Sequence, residues 1–544
     1  MKIDPVQIEI IRNALVAAAE EMSITVWRTS RSSIVRENLD YSTAVFDADG
    51  ESTAQSARMP VHLNSMASCL GDILEHHIKI EDWLEGDIII TNDPYSGGQH
   101  LPDVMTFMPV CVDGERIAIA GILVHHLDVG GGAPGSFDPN ATEVFQEGFR
   151  IPPLHLQREG VYNKEVEQLF LRNTREPEKV GGDFLSQIAS LEVGAANLRR
   201  VATRYGAATL HAASKQIQAQ SEGAMREAIR KIPDGSYEFE DFVDNDGITE
   251  TPIRIHAKLT VTGDTMEVDL GESDPQAAGP VNCTANMTNS AVFCGIMMAI
   301  DDHIPANAGC YRPITIKSVP GTVVDAQSPA PVANRMAVGH RVVNTTMGAM
   351  AQALPGKVAA AYYGVSFVYA LGFEHEDGSR QVYFDIECGG WGAHPTADGA
   401  SGFSCGFHNI SNGPVEMIET DYPVTFTEYA LASDSGGRGK MRGGLGLSRA
   451  FRIDCPRTTF TANLDRFSNP PYGLDGGESG GPAALSITRA DGSVETLKAK
   501  VRSVPVTSGD VVRLQTAGGG GYGHASERSR DQIEADRLDG YTTT

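Results

Sequence analysis

Apolar residues at Ile8, Ile11, Leu15, Met22 and Val26 recur at helical spacing. The segment from Pro5 to Val26 therefore reads as an amphipathic helix, with Asp4 as N-cap and Pro5 in its first turn. A strand is predicted over Asp40–Phe46, closed by the turn Asp47-Ala48-Asp49-Gly50. A second helix runs from about Leu63 to His77 and precedes a short buried strand, Asp87–Thr91. Asn92-Asp93-Pro94-Tyr95-Ser96-Gly97-Gly98 breaks that strand into a loop. A further apolar run, Ile117 to Val124, ends at His125, and Gly130-Gly131-Gly132 then turns the chain.

From Gly181 to about Ile232 the chain is rich in Ala, Leu and Gln at helical periodicity, and Pro233-Asp234-Gly235 ends it. This predicts one long helix or a helical hairpin. Tyr237 to Leu270 alternates apolar and polar residues and reads as antiparallel strands, whereas Ala291–Ile300 and Val338–Leu354 read as helices. Beyond Asp421 strands and Gly-rich turns prevail, and the charged tail from about Ala525 is expected to be loosely ordered. No repeat of fixed period is visible. A chain of 544 residues exceeds one core. The expected fold is α+β and multi-domain, mostly antiparallel sheets with a long central helical segment. Its expected units are an N-terminal α+β domain (1–180), the helical segment (181–235), a central α+β domain (236–430), a β-rich region (431–524) and a polar tail (525–544).

Charge narrows the partners. Lys and Arg number 44 against 70 Asp and Glu, a formal charge of -26, and the acids are scattered rather than blocked. Nucleic acid and anionic membrane both need basic patches, so neither is expected as a partner. The longest apolar run, Ala291–Ile300, is far short of the ~20 residues a membrane span needs. Met1-Lys2-Ile3-Asp4-Pro5 carries no basic-then-apolar leader, so a cytoplasmic location is expected. The eight cysteines include no CxxC, and none has a convincing histidine partner. They are expected to be reduced, buried thiols rather than a disulfide frame or a thiolate zinc site.

Two segments carry the candidate chemistry: His100-Leu101-Pro102-Asp103 and His125-His126-Leu127-Asp128-Val129-Gly130-Gly131. Each pairs imidazole with carboxylate where an apolar strand meets a loop, a donor set suited to a divalent transition metal such as Zn, Mn or Fe. One HxxD alone is more often structural; two such clusters on neighbouring segments favour a metal centre of one or two ions. On an extended segment His125 and His126 face opposite ways, and His125 is the preferred ligand. Asp40, at the start of its strand, is a further carboxylate near the site. Asp128 and Glu147 are the candidate catalytic carboxylates, Asp128 as a ligand or as the group orienting an imidazole, Glu147 as general base. The Gly-rich runs Asp434–Gly439, Arg442–Gly446 and Gly518–Gly521 do not form a P-loop and are read as turns. Asp244-Asn245-Asp246-Gly247 is not a calcium loop, because its twelfth position is Ile255. No GxSxG nucleophile motif is present.

Asn92-Asp93-Pro94-Tyr95 with Gly97-Gly98, His100-Leu-Pro-Asp103, His125-His126-Leu-Asp128-Val-Gly-Gly and Gln146-Glu147-Gly148-Phe-Arg-Ile-Pro-Pro153 together resemble the signature of the hydantoinase B / 5-oxoprolinase family. Gly279-Pro-Val-Asn282, Asp434-Ser-Gly-Gly with Arg442-Gly-Gly-Leu-Gly446, and Thr516-Ala-Gly-Gly-Gly-Gly-Tyr-Gly523 continue the resemblance in order, over roughly residues 1 to 524. Gln99 and Leu127 stand where threonine and alanine are more usual. The resemblance implies a hydantoinase A-type partner that binds ATP and phosphorylates a carbonyl oxygen, in a hetero-oligomer with two or more copies. It maps metal ligands onto His100, Asp103 and His125, with Asp40 a further addition; His126 is kept as the alternative to His125. The implied reaction is ATP-dependent opening of a cyclic amide such as a hydantoin, 5-oxoproline or a lactam. The alternatives are the alpha-type subunit of an ATP-dependent ketone carboxylase, and a scaffold subunit without chemistry of its own.

Overall fold

The computed structural model describes residues 3–300 and 303–543; Met1 and Lys2, the first two residues of the N-terminal reading, lie outside them. The fold is α+β with four sheets. The largest is built from β1 (Tyr41–Asp47), β2 (Ser52–Gln55), β3 (Ile88–Thr91), β4 (Asp103–Val112), β5 (Glu115–His125), β6 (Leu154–Arg158) and β7 (Val161–Tyr162). Its seven strands lie in the order β2-β1-β5-β4-β3-β6-β7, all paired antiparallel.

Strands β4 and β5 are buried on both faces, which is why they read as continuous apolar runs. Val104, Met108 and Val110 of β4 and Ala120, Ile122 and Val124 of β5 join one core. The helices Pro5–Thr29 and Pro177–Tyr205 pack together over that face. Met105 and Phe107, with Ile119 and Leu123, face the other way, into a smaller core with Met66, Cys69 and Leu70 of the helix Pro60–Asp72. Truncating a fully buried member such as Leu123 to Ala is worth about 2–5 kcal/mol. The first helix starts as its sequence dictates: the Asp4 side chain accepts from Val6 N at 3.0 Å, with Pro5 following the cap.

The helical stretch after Gly181 is divided. Pro177–Tyr205 ends at Gly206, whose φ of 87° admits no ordinary side chain cheaply, and Ala207–Arg230 begins there. The chain then forms β8 (Gly235–Val243), β9 (Ile253–Thr262), β10 (Thr265–Asp269) and, alongside β10 in parallel, β11 (Ile314–Lys317). The helix Met336–Ala353 packs on β8 and β9 and against the helix Ala285–Ala299. It is buried nearly all round, so its polar residues His340, Arg341 and Asn344 find partners inside the protein.

Two further sheets follow. One takes β12 (Phe367–Glu374), β13 (Arg380–Glu387), β16 (Thr458–Asn463) and β19 (Lys500–Val506), in the order β13-β12-β16-β19. The other takes β14 (Val424–Leu431), β15 (Leu447–Ile453), β17 (Ala484–Thr488), β18 (Val494–Thr496) and β20 (Val511–Gln515), in the order β14-β15-β20-β17-β18. The Gly-rich runs near these sheets interleave their backbones: Gly519 N donates to Gly444 O at 2.9 Å and Gly437 N to Gly519 O at 2.8 Å. A Cβ on Gly444 would lie 1.9 Å from Ala400 O, so contact distance fixes glycine there. Through Thr543, the last described residue, the tail is ordered rather than loose. Helix Arg530–Leu538 carries a Ser529/Gln532 capping box, and its buried Asp536 pairs with Arg442 and Arg528. Its polar composition reflects a solvated face and these ion pairs. No helix among the described residues is long and apolar enough to cross a membrane.

Candidate metal centre

Strand pairing assembles the site. Asp103 opens β4 and pairs in register with His125, the last residue of β5. On the other side of β5, Tyr41 pairs with Val124, and His125 N donates to Asp40 O at 3.1 Å. Side chains alternate along a strand, so Asp40, His125 and Asp103 share parity with Phe46, Leu123 and Met105. All three are thereby placed in one row across β1-β5-β4, on the face covered by the helix Pro60–Asp72. That helix brings His62, whose Nε2 lies 3.6 Å from Asp40 Oδ1 and whose Nδ1 is 3.2 Å from Ser42 Oγ. His100, on the loop before β4, reaches Asp103 Oδ1 with Nε2 at 3.2 Å.

One donor atom each from His100, Asp103 and His125 lies within 4.8 Å of the others, all buried. Among the described residues His100 Nε2, Asp103 Oδ1 and both ring nitrogens of His125 have no hydrogen-bond partner, and neither does Asp40 Oδ1, which faces His62. The 3.2 Å contact between His100 and Asp103 is not aligned as a hydrogen bond. Orphaned buried donors are costly, and their convergence on one point fits an ion. Burial, reinforced by Arg335, holds His100 down to about 4; burial and His100 hold His125 well below its ordinary value. Both imidazoles are neutral, the state in which they ligate. Burial opposes the charge of Asp103, but the Arg335 guanidinium paired with it at 2.6 Å outweighs burial and keeps the group well below the usual carboxylate range. Asp40 goes the other way, raised by burial and by Asp103.

Several residues that hold this centre are invisible in the sequence patterns. Arg335 donates to Asp103 Oδ2 at 2.6 Å and to Gln99 Oε1 at 3.2 Å. Ala333 O lies 3.2 Å from His100 Nδ1, fixing Nε2 as the nitrogen that faces the cluster. Glu147 acts through that same loop: its Oε1 accepts from Val332 N and Ala333 N, both at 2.7 Å. The aromatic rings of Phe137 and Phe384 stack beside His125 at 6.0 and 5.4 Å between centroids.

Other expected site residues lie elsewhere. His126 emerges on the opposite face of β5, where Nε2 meets Gln187 Oε1 at 3.0 Å and the ring packs edge-on against Phe170 at 5.3 Å. Asp128 is spent on its own turn. It accepts from Gly130 N, Gly135 N and Arg175 N, and pairs with the Arg175 guanidinium at 2.8 Å. Neither joins the His100/Asp103/His125 cluster. The structure also gives a cysteine a histidine partner, contrary to the sequence reading: Cys405 Sγ is 3.9 Å from His340 Nδ1.

A sequence model of the hydantoinase B/oxoprolinase family matches residues 4–525. The chain belongs to that family. It is 32% identical to the putative D-/L-hydantoinase B subunit of Pseudomonas sp. (strain NS671), over 100% of this chain and 94% of that protein. The crystal structure of the ATP-dependent caprolactamase from Pseudomonas jessenii superposes with a TM-score of 0.92 at 28% identity, covering 100% of this chain and 95% of that one. A nucleotide-free acetone carboxylase chain shares the fold, with a TM-score of 0.91 at 18% identity over 99% of this chain and 78% of that one.

Proposed function

We propose that this chain is the metal-dependent B subunit of an ATP-dependent cyclic-amide hydrolase, acting on a substrate whose amide oxygen an A-type partner has phosphorylated. The observation that supports it most is the buried meeting of His100, Asp103 and His125, with their facing atoms unpaired. Hydantoinase and caprolactamase relatives supply the substrate class, and the hydantoinase relative, as a B subunit, also supports a partner. ATP is assigned to that partner, because no P-loop is present in this sequence.

An amide carbon is a poor electrophile, and phosphorylation of its oxygen makes it imidate-like. Water adds to that carbon, and the ring C–N bond then breaks with a proton delivered to nitrogen. The acyl phosphate left behind is cleaved by a second water, giving the ring-opened acid and phosphate. His100, Asp103 and His125 would hold a divalent transition ion, which when bound would supply Lewis acidity and lower the pKa of a water. To Asp40, whose Oδ1 faces His62, we assign uptake of a proton from the attacking water and its return to the leaving nitrogen. Arg335 holds Asp103 so that Oδ1 stays turned toward the imidazoles. Phe137 and Phe384 close the His125 side with apolar rings and limit access of bulk water.

The test combines the purified chain with an A-type partner, ATP and a panel of hydantoin, 5-oxoproline, caprolactam, and acetone with bicarbonate. ATP-dependent ring-opened acid from a cyclic amide is the expected product. Bicarbonate-dependent carboxylation of the ketone, with every cyclic amide untouched, would overturn the proposal.

A further inference from the structure

A second group of metal-ligating side chains lies outside the centre described above. His340 sits within the buried helix Met336–Ala353, and Cys405-Gly-Phe-His408 follows β13. One donor atom from each of His340, Cys405 and His408 lies within 4.8 Å of the others, and all three residues are buried. His340 and His408 point Nε2 at Nε2 across 3.2 Å. Ser366 Oγ completes the group, 2.6 Å from His408 Nε2 and 3.3 Å from His340 Nε2.

We propose that His340, Cys405 and His408 form a second, structural metal site for a thiophilic ion of tetrahedral preference, zinc before others, with the Ser366 hydroxyl as its fourth neighbour. Zn–N bonds of about 2.0 Å and Zn–S bonds of about 2.3 Å put tetrahedral ligand atoms roughly 3.3–3.6 Å apart. The 3.2 Å between the two Nε2 atoms is close to that spacing, and a donor atom of Cys405 lies within 4.8 Å of the imidazole donors. A Cys-x-x-His pair with a distant third ligand is a familiar way to hold zinc, and two nitrogens with one sulfur suit zinc better than Mg or Ca.

Orientation agrees. The Tyr362 hydroxyl lies 2.8 Å from His340 Nδ1, which leaves Nε2 facing His408. Burial holds His408 down to about 3 and His340 well below its ordinary value, so both present neutral rings. The guanidiniums near His340 belong to ion pairs, Arg335 with Asp103, Arg341 with Asp465 and Arg466 with Asp241, so their field on a cation is offset. All three residues are buried, which suits a structural site rather than an open catalytic one.

Its consequence reaches the first centre. Phe407, between the two ligands of the loop, accepts from Val61 N at 3.1 Å, and the next residue, His62, faces Asp40. An ion here would brace the loop against the helix that covers the His100/Asp103/His125 row.

Elemental analysis and cobalt exchange of the purified chain test the site independently of any turnover. Wild-type protein reconstituted with Co(II) is expected to show a near-ultraviolet thiolate-to-cobalt charge-transfer band. C405S is expected to lose that band and about one zinc per chain, while H100A keeps the band. H408Q should lose the same ion. Wild-type protein that binds cobalt without a thiolate band, or C405S with wild-type metal content, would overturn the proposal. The wild-type spectrum decides the matter even if both variants fail to fold.

Discussion

Arg335 donates to Asp103 across 232 positions of sequence, at 2.6 Å, and both side chains are buried. The guanidinium takes Oδ2 and leaves Oδ1 on the side of His100. One carboxylate is thereby both charge-balanced and aimed. Arg335→Met removes that hold. Metal affinity is expected to fall about 10–100-fold, measured by competition with a chromophoric chelator at fixed pH. Unchanged affinity would show that the arginine does not tune the centre.

His126 separates the two faces of β5. His126→Ala should leave the metal content unchanged and cost about 2–4 kcal/mol, because it opens a cavity beside Phe170 and leaves Gln187 Oε1 short of a donor. Denaturant unfolding with parallel metal analysis reads both. Loss of the ion without loss of stability would make His126 a ligand after all.

Glu147 gives a pH signature. Burial raises it from an ordinary 4.5 to about 8, even though two backbone N–H groups favour its charge. Between those values the folded state binds more protons than the unfolded, so stability falls as pH rises from 4.5 to about 8. Below that window the carboxyl is protonated in both states and costs nothing; above it the full penalty applies. Glu147→Gln keeps an oxygen for Val332 N and Ala333 N but cannot ionise. Its Tm should therefore decline less across this window than that of wild type. Parallel Tm profiles would remove the buried-carboxyl account.

The purified chain alone should show no substrate-dependent ATPase activity, since its Gly-rich runs pack backbone on backbone, as at Gly519 and Gly444. Robust hydrolysis without a partner would reveal a nucleotide site in this chain.

Much of the centre was legible because it is built from strand periodicity. Period-two alternation separates His125 from His126, and an HxxD ending at a strand start puts His100 near Asp103. What was not legible comes from afar. His62, Arg335 and the Ala333 carbonyl arrive from a covering helix and a distant loop, and nothing local marks them. Cys405-Gly-Phe-His408 did carry a readable i,i+3 spacing, but its third member, His340, is 65 positions away and hidden in a mostly apolar helix. Asp128 and Glu147 have the residue types of catalytic acids; the Asp128 carboxylate is taken up by backbone N–H groups and Arg175, whereas Glu147 gives Oε1 to Val332 N and Ala333 N and keeps Oε2 buried without a partner among the described residues. The tail misled through composition: charge signalled looseness where Asp536, Arg442 and Arg528 make buried pairs.

The most direct test is the metal content of the purified chain, wild type beside His100→Ala, prepared without chelators. The His100/Asp103/His125 centre predicts that the variant stays folded and loses about one transition ion per chain relative to wild type. Equal metal content in the two proteins, with the variant folded, would contradict it.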